Sequence, residues 1–369
     1  MLSALRAARQ SIRLETYIFD DSAVGRSFRD ALAEAASRGV RVRALVDAAG
    51  SFPLAESFWE PLRTAGGEVR WFNPLTLERI SYRDHRKILV VDDTVAFVGG
   101  YNIAAEYSGD GVTRGWRDLG LQVSGELAVE LAESFDAMFE RADFQHKRLQ
   151  RLRRSHAESR AGDPDWQLLL SGPGRGHRVL KRTLARDLAT AKSVQIISAY
   201  FLPTWRIRRE LRRVARRGGR VKLILSGKSD VVLAQLASRH LYRSLLRAGV
   251  EIHEYQPQIL HSKLVIADNV VYAGSANLDA RSLSINYELL VRVADAGLAR
   301  KARDIFADHL QHSQRIDAAT WPRSRNFVTK LLEYLACAIL SRLDPSFARW
   351  QLRGLRLKQA VAYGSKRTR

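Results

Sequence analysis

The chain has 369 residues, of which 46% are hydrophobic and 27% are charged, and this composition is typical of a folded globular protein rather than a disordered one. Its 60 basic and 39 acidic residues give a net charge of +21, which predicts binding to a polyanion, either an anionic membrane or nucleic acid. A single cysteine argues against a disulfide framework, and no apolar run is long enough to span a bilayer or to act as a secretory signal.

Apolar periodicity predicts alternating helices and strands in both halves of the chain. In the first half these are a helix over 3–11, a strand over 12–19, a helix over 28–37, a strand over 40–46 and a helix over 126–142. In the second half they are a helix over 179–191, a strand over 194–199, a helix over 206–217 and a strand over 221–225. Such alternation is typical of α/β units with parallel or mixed sheets.

The helix predicted over 206–217 carries seven arginines. Its apolar residues Ile207, Leu211 and Val214 recur at helical spacing and form the expected buried stripe. We interpret the basic side as a solvent-exposed face rather than a dedicated phosphate-binding face.

The segment 147–164 is rich in charge and poor in apolar residues, so we interpret it as a basic linker between a first domain at 1–146 and a second at 165–315. The remainder, 316–369, is expected to form an amphipathic helix followed by a basic tail. Its apolar residues recur at helical spacing, and they are Phe327, Leu331, Leu332, Leu335 and Ile339. Two interpretations stay open: an anchor lying in a membrane interface, or a helix packed on the second domain.

A histidine–lysine motif occurs twice in the chain with the same spacing. Both copies read His-x-Lys-x-x-x-x-Asp, and each is followed by a turn of small residues that ends in asparagine. The residues are His85, Lys87, Asp92 and Asn102 in the first copy, and His261, Lys263, Asp268, Ser275 and Asn277 in the second. Repetition of so unusual a polar arrangement predicts an internal duplication with a single site built from both halves.

Two imidazoles and two ammonium groups around one cavity suit phosphoryl transfer. A period of two places the histidine and lysine of each copy on the same face of an extended chain. One neutral histidine can attack phosphorus and form a phosphohistidine, while the other, protonated, donates its proton to the leaving oxygen. The lysines and asparagines can hold the non-bridging oxygens, so neither a metal nor another cofactor is expected.

A catalytic histidine also needs a carboxylate on its second ring nitrogen, which fixes its tautomer and orientation. Asp118, in Trp116-Arg117-Asp118, lies downstream of the first histidine, and Glu288 lies at a comparable distance downstream of the second. We expect each carboxylate to orient one histidine, with pairing to the opposite half as one option.

The two motifs resemble the signature of the phospholipase D superfamily, and the resemblance extends from the N-terminus to about residue 310. The segments 14–19, 97–103, 116–118, 198–203 and 274–282 are most similar to bacterial cardiolipin synthases. The resemblance implies two tandem α/β sandwich domains related by duplication, with one shared active site at their interface. It is closest to the shorter subgroup without two N-terminal transmembrane helices, and it places Met1 inside the family's first helix.

The resemblance also implies an activity. His85 would be the nucleophile, His261 the general acid and base, and phosphatidylglycerol the donor in cardiolipin synthesis through a phosphatidyl-histidine. A hydrolytic phospholipase D is the alternative, and a nuclease is less favoured because single-motif nucleases dimerise, whereas this chain carries both motifs. The expected partners are anionic phospholipids and a membrane surface, at the cytoplasmic face of a bacterial inner membrane. Nucleic acid is not expected as a partner, and a monomer would suffice for the site.

Overall fold

Two mixed β-sheets form the centre of the protein in the computed structural model, which describes residues 1–74, 81–142, 165–173, 177–321, 323–343 and Ser346. Six strands between residues 11 and 124 form the first sheet, and eight strands between residues 166 and 315 form the second. The linker predicted at 147–164 and most of the basic tail lie outside the described residues.

The first sheet has the strand order β3-β2-β1-β4-β5-β6. Its strands are β1 (Ser11–Thr16), β2 (Arg41–Asp47), β3 (Glu68–Phe72), β4 (Ile88–Val91), β5 (Val95–Gly99) and β6 (Gly120–Ser124). The helices of this half are α1 (Leu2–Ala7), α2 (Ala23–Ser37), α3 (Glu60–Thr64) and α4 (Glu126–Phe139), with short 3-10 turns at Glu56–Trp59 and Ala105–Tyr107.

The second sheet has the strand order β14-β10-β9-β8-β11-β12-β13-β7. Its strands are β7 (Trp166–Ser171), β8 (Ser193–Ser198), β9 (Arg220–Ser226), β10 (Glu251–Tyr255), β11 (Lys263–Ala267), β12 (Val270–Gly274), β13 (Glu288–Ala294) and β14 (Ser313–Arg315). The helices are α5 (His177–Thr190), α6 (Trp205–Arg216), α7 (Val232–Leu246), α8 (Ala296–Gln311) and α9 (Phe327–Ala338), and a π-helical turn follows at Ile339–Leu343.

The two sheets repeat one topology, which confirms the duplication predicted from the motifs. In the first sheet β1, β2 and β3 run parallel, and β4, β5 and β6 continue it on the other side in antiparallel fashion. Strands β8 to β13 repeat this arrangement in the second sheet. Strands β7 and β14 extend that sheet at its two edges.

The predicted elements are confirmed, with shifted boundaries. Helix α2 begins at Ala23, five residues before the predicted start, because the Ser22 side chain caps it by accepting the N–H of Gly25. Helix α6 buries Ile207, Leu211 and Val214 as predicted.

The two halves share hydrophobic core rather than touching only at their surfaces. Ile88 and Val90 of β4 belong to the same buried cluster as Leu168, Leu289 and Val291 from the second sheet. Each fully buried aliphatic side chain of this kind contributes about 1.5–3 kcal/mol relative to an exposed one. The interface that carries the motifs is therefore a packed interior, which fixes the relative position of the two halves.

Candidate active site

Each motif histidine is attached to the opposite half through its backbone. The N–H of His85 donates to the carbonyl of Tyr287 at 3.0 Å, and the N–H of His261 donates to the carbonyl of Arg117 at 2.7 Å. Each acceptor directly precedes a residue with a carboxylate side chain. These two hydrogen bonds between the halves therefore bring a carboxylate of each half beside the imidazole of the other.

The first histidine is oriented by Glu288. Nδ1 of His85 lies 3.1 Å from Oε2 and 3.0 Å from Oε1 of this buried carboxylate. Ser275 donates its hydroxyl to Oε2 of Glu288 at 2.5 Å and accepts the N–H of Leu289 at 3.0 Å, so it holds the carboxylate in place. The ring of Tyr17 lies 5.0 Å from the His85 ring. Because Nδ1 faces the carboxylate, Nδ1 carries the ring proton of the neutral imidazole and Nε2 has the free lone pair.

The second histidine is oriented by Asp118. Nδ1 of His261 lies 2.6 Å from Oδ2 of that residue. The rings of Tyr107 and Trp116 flank the imidazole, with centroids 5.3 Å and 5.4 Å from it. Nζ of Lys263 also lies 3.0 Å from Nδ1, but the shorter contact to the carboxylate determines where the proton is carried. Both histidine–carboxylate pairs thus join opposite halves.

Both motif lysines are buried beside their histidines. Lys87 donates to the carbonyl of His85 at 2.7 Å, and its Nζ lies 5.2 Å from the centre of the Tyr17 ring. Lys263 donates in the same way to the carbonyl of His261. Each lysine is at most 3% exposed, so the two cations have little contact with solvent.

Burial is the largest influence on the pKa values of these groups. It lowers the pKa of His85 well below its usual value, and the ammonium groups of Lys87 and Lys263 lower it further. It lowers the pKa of His261 to about 4, with Lys263 acting in the same direction and Asp118 against it. Both imidazoles are therefore neutral in the unliganded protein at neutral pH.

The lysine and glutamate at the first histidine have pKa values close to neutrality. Burial lowers the pKa of Lys87 to about 7, although Glu288 opposes the shift. Burial raises the pKa of Glu288 to about 7, and Lys87 opposes that shift in turn. Burial also lowers the pKa of Lys263. An anionic ligand between these groups would favour the charged lysines, because its negative charge compensates for the solvation that the ammonium groups lose on burial.

The two motif asparagines lie on the cavity wall. Asn102 accepts the N–H of Ile18 at 3.1 Å and donates to the hydroxyl of Tyr107 at 2.7 Å, so it also positions the aromatic ring beside His261. The buried amide oxygen of Asn277 accepts no hydrogen bond from the part of the chain that the structure describes. Phosphate binding by either residue stays a prediction.

Asp92 and Asp268, which the motif spacing groups with the catalytic residues, lie at strand ends rather than at the cavity. Asp92 lies beyond β4, at the opposite end from His85, and its carboxylate accepts the backbone N–H groups of residues 9–11 at 2.7–3.2 Å. Asp268 accepts the N–H groups of residues 192 and 193 at 2.9–3.1 Å in the second half. Both adopt the left-handed region, with φ of 52° and 49°. These aspartates join adjacent strands at their ends and do not line the cavity.

A cavity of about 470 Å³ opens in front of the two histidines. Its wall is largely apolar and aromatic, and includes Ile18, Phe201, Leu202, Val231, Ala234 and Leu340. The guanidinium-bearing residues Arg83 and Arg281 also line it. Such a cavity has the size of a small-molecule site and combines cations for a phosphate with an apolar wall.

Comparison with known proteins gives the family. The sequence model described as "Cardiolipin synthase, PLD-like domain" matches residues 1–142 and 184–310. The chain belongs to this family. It is 31% identical over 356 residues to cardiolipin synthase 1 of Bacillus cereus, which covers 90% of this chain and 68% of that protein. With cardiolipin synthase 2 of the same species it shares 36% identity over 327 residues, covering 86% and 63%. The chain thus spans about two thirds of the length of these relatives.

Solved structures extend the likeness in fold beyond the cardiolipin synthase family. Phosphatidylserine synthase of Haemophilus influenzae has a TM-score of 0.68 at 13% identity, over 92% of this chain and 89% of that one. A polyphosphate kinase of Porphyromonas gingivalis has a TM-score of 0.58 at 16% identity, over 86% of this chain and 46% of that one. At these identities the likeness shows a shared fold alone.

Two further observations concern this member of the cardiolipin synthase family. Throughout the described ranges, no helix combines the length and apolarity that crossing a membrane requires. Within the same ranges, no group of three or more His, Cys, Asp and Glu side chains is arranged to hold a metal ion.

Sequence reasoning missed the aromatic residues around the histidines. Tyr17, Tyr107 and Trp116 contact the imidazoles, and the sequence context of the motifs pointed only to Tyr17 and Trp116. Tyr17 follows the Leu14-Glu15-Thr16 strand, and Trp116 lies two residues before Asp118. Tyr107 carried no signal in the sequence, because its contact depends on how the 3-10 turn after Asn102 folds back.

Proposed function

We propose that the protein is a phosphatidyltransferase that makes cardiolipin from two molecules of phosphatidylglycerol. The observation that carries this proposal is the pair of crossed histidine–carboxylate contacts, each with its own buried lysine, at one cavity. The relatives named cardiolipin synthases support the choice of lipid substrate. The largely apolar cavity wall also favours a lipid over a nucleic acid, whose recognition relies mainly on exposed cations.

In the first step, Nε2 of His85 attacks the phosphorus of the donor lipid. The bond from phosphorus to the glycerol head-group oxygen breaks, and His261, protonated in the complex, gives that oxygen its proton. Free glycerol leaves, and the phosphatidyl group stays on His85. The substrate anion favours protonated His261, because its negative charge opposes the effect of burial on that pKa.

In the second step, neutral His261 takes the proton from a head-group hydroxyl of a second phosphatidylglycerol. That oxygen attacks the phosphorus, the bond to His85 breaks, and cardiolipin forms with His85 neutral again. Glu288 stabilises the charge that develops on the His85 ring, and Asp118 does the same for His261. Lys87 and Lys263 stabilise the non-bridging oxygens in both transition states.

The acceptor lipid carries a phosphate of its own, which also needs cationic partners in the cavity. We propose that Arg83 and Arg281, which line the cavity, bind this phosphate, because arginine binds phosphate oxygens in bidentate fashion. We propose that the protein acts at an anionic membrane surface, at the cytoplasmic face, where both lipids are present. The net charge of +21 supports this location.

The test is incubation of the purified chain with phosphatidylglycerol vesicles, followed by mass spectrometry of the lipids. We expect cardiolipin and an equal amount of free glycerol. Phosphatidic acid without cardiolipin would instead identify a hydrolase, and the absence of any lipid product would remove the proposal.

The roles of the two histidines can be distinguished by whether the covalent phosphatidyl-protein intermediate forms. His85→Ala is expected to lower turnover by about a thousandfold or more and to form no adduct. His261→Ala is expected to be similarly slow but to retain some phosphatidyl-protein adduct, visible in the intact-protein mass. His312→Ala, outside the cavity, is the matched control and should keep wild-type turnover. An adduct in His85→Ala but not in His261→Ala would exchange the two roles.

A further inference from the structure

The C-terminal helix α9 packs inward through Glu333 and the small residues Ala336 and Cys337, and directs its large apolar side chains outward. Its two buried residues are Glu333 and Ala336, and the Glu333 carboxylate lies 3.4 Å from the guanidinium of Arg325. The outer apolar face, which continues into the π-helical turn, consists of Phe327, Val328, Leu331, Leu332, Leu335, Ile339 and Leu343. These side chains are between 40% and 78% exposed.

This arrangement is unusual, because a surface helix of a globular protein normally directs its apolar stripe to the core. A contiguous exposed apolar surface of this kind marks an interaction site. The helix is held on the second half by α7, where the rings of Tyr334 and His240 lie 5.8 Å apart. Its orientation is therefore fixed by packing, and the outward direction of the apolar side chains follows from that packing.

The outer apolar face ends at the mouth of the catalytic cavity. Leu340, in the π-helical turn, lines the cavity together with Val231 and Ala234 at the start of α7. Next to them, Val232 is 63% exposed and Leu233 is 37% exposed. One apolar surface thus runs from α9 to the entrance in front of the histidines.

The charge around this surface favours a lipid bilayer over a second copy of the chain. Arg323, Lys330 and Arg342 lie exposed on or beside the helix, and its one carboxylate, that of Glu333, is buried. Two copies joined through this face would bring their cations together within a protein of net charge +21. An anionic bilayer provides opposite charge at the level of the headgroups and apolar volume just below it.

We propose that the outer apolar face and Val232–Leu233 form a docking surface for an anionic bilayer. This proposal rests on the proposed lipid substrate. Helix α9 lies in the plane of the interface, with its apolar side chains among the acyl chains. The cavity mouth then faces the headgroups, and a phosphatidylglycerol reaches the histidines by moving a short distance out of the bilayer. Leu340, Val231 and Ala234 give its acyl chains continuous apolar contact during this movement.

The test compares vesicle binding with turnover of a dissolved substrate. In the variant Phe327→Ser, Val328→Ser and Leu332→Ser, no charge changes, so any loss of binding reflects apolar contact. We expect affinity for vesicles of equal phosphatidylglycerol and phosphatidylcholine, measured by sedimentation, to fall by about tenfold or more. Turnover of short-chain phosphatidylglycerol, dissolved below its micelle concentration, should stay within about twofold of wild type, because the cavity is unchanged.

The matched control is Phe52→Ser with Val129→Ser, two exposed apolar residues of the first half, which should leave vesicle binding unchanged. If the triple variant melts early, Val232→Ser alone provides the same comparison. Unchanged vesicle binding would overturn the docking surface, as would a change in self-association with vesicle binding retained. If the wild-type protein did not turn over the dissolved lipid, that result would contradict the proposed function. The vesicle-binding result would still show whether the docking surface exists.

Discussion

Several histidines of this chain are buried in neutral form, and this makes the fold sensitive to acid at particular residues. His309 is 2% exposed, and its Nδ1 lies 2.8 Å from the carbonyl of Ile305. Burial lowers the pKa of His309 to about 4, and the nearby Arg117 acts in the same direction. The unfolded chain binds a proton as the pH falls through about 6.5, whereas the folded chain does so only near 4. Stability is therefore lost between these two values.

We predict that His309→Gln removes this part of the pH dependence. The free energy of unfolding of the variant should fall less between pH 7 and pH 5 than that of the wild type, by about 2 kcal/mol, because glutamine does not titrate. Urea unfolding at the two pH values measures the difference. Parallel pH curves for the two proteins would show that His309 is protonated equally in the folded and unfolded states.

At the residue scale, the sequence predicted which side chains come together at the cavity, but not their electrostatics. The repeated spacing identified His85 and His261, and the need for an orienting carboxylate identified Asp118 and Glu288. The pKa of Lys87 near 7 could not be predicted, because it depends on how completely the two halves exclude water.

The strand ends explain why a repeated aspartate belongs to each motif without lining the cavity. Where β4 ends, the backbone N–H groups at the start of the adjacent strand β1 have no strand partner, and such groups need acceptors. Burial raises the pKa of Asp92, but the N–H groups of Ser11, Gln10 and Arg9 outweigh that effect and lower it overall. The ionised carboxylate thus binds the start of β1 at any pH above its ordinary pKa. Motif spacing alone cannot distinguish such a structural acceptor from a catalytic group.

We predict that Asp92→Ala and Asp268→Ala affect stability rather than catalysis. Each should lower the free energy of unfolding by about 2 kcal/mol, because two or three backbone N–H groups lose a charged acceptor. Turnover per folded molecule should remain within about twofold of wild type. Urea unfolding and a turnover assay on the same preparation separate the two effects. A large loss of turnover with unchanged stability would return these aspartates to the catalytic group.

Helix α9 shows a second limit of prediction at the scale of elements. Its apolar spacing predicted a helix correctly, and the sequence left open whether that helix packs on the second half or anchors the protein in a membrane. The helix packs on the second half, as one interpretation required, but through Glu333 and Ala336 rather than through its apolar stripe. Periodicity gives the relative position of side chains around a helix, and only the partner that covers it determines which side faces the solvent.

For the whole molecule, the buried contact between the halves has consequences beyond the site. Val90 and Leu289 are both inaccessible to solvent within one cluster. The Tyr255 hydroxyl also donates to the carbonyl of Gly111 at 2.6 Å, from the second half to the first. Contacts of this kind should hold the halves together without a covalent connection.

We predict that a chain cut between its halves stays assembled and active. A protease site inserted within residues 147–164 would allow cleavage after purification. The two fragments should elute together in gel filtration and keep most of the turnover, because the shared core and the crossed backbone contacts remain. Ile88→Asp in the cut protein is the control, since a charge in that core should separate the fragments. Dissociation of the unsubstituted fragments would mean that the connection itself maintains the interface.

The crossed pairing also has a consequence for protein synthesis. While the ribosome is making the first half, His85 emerges without Glu288, and Asp118 emerges without His261. Neither imidazole has a carboxylate to fix its tautomer until the second sheet has been made and has docked on the first. The site is therefore incomplete in the nascent chain, and we expect it to become reactive only after both repeats have been translated and have docked.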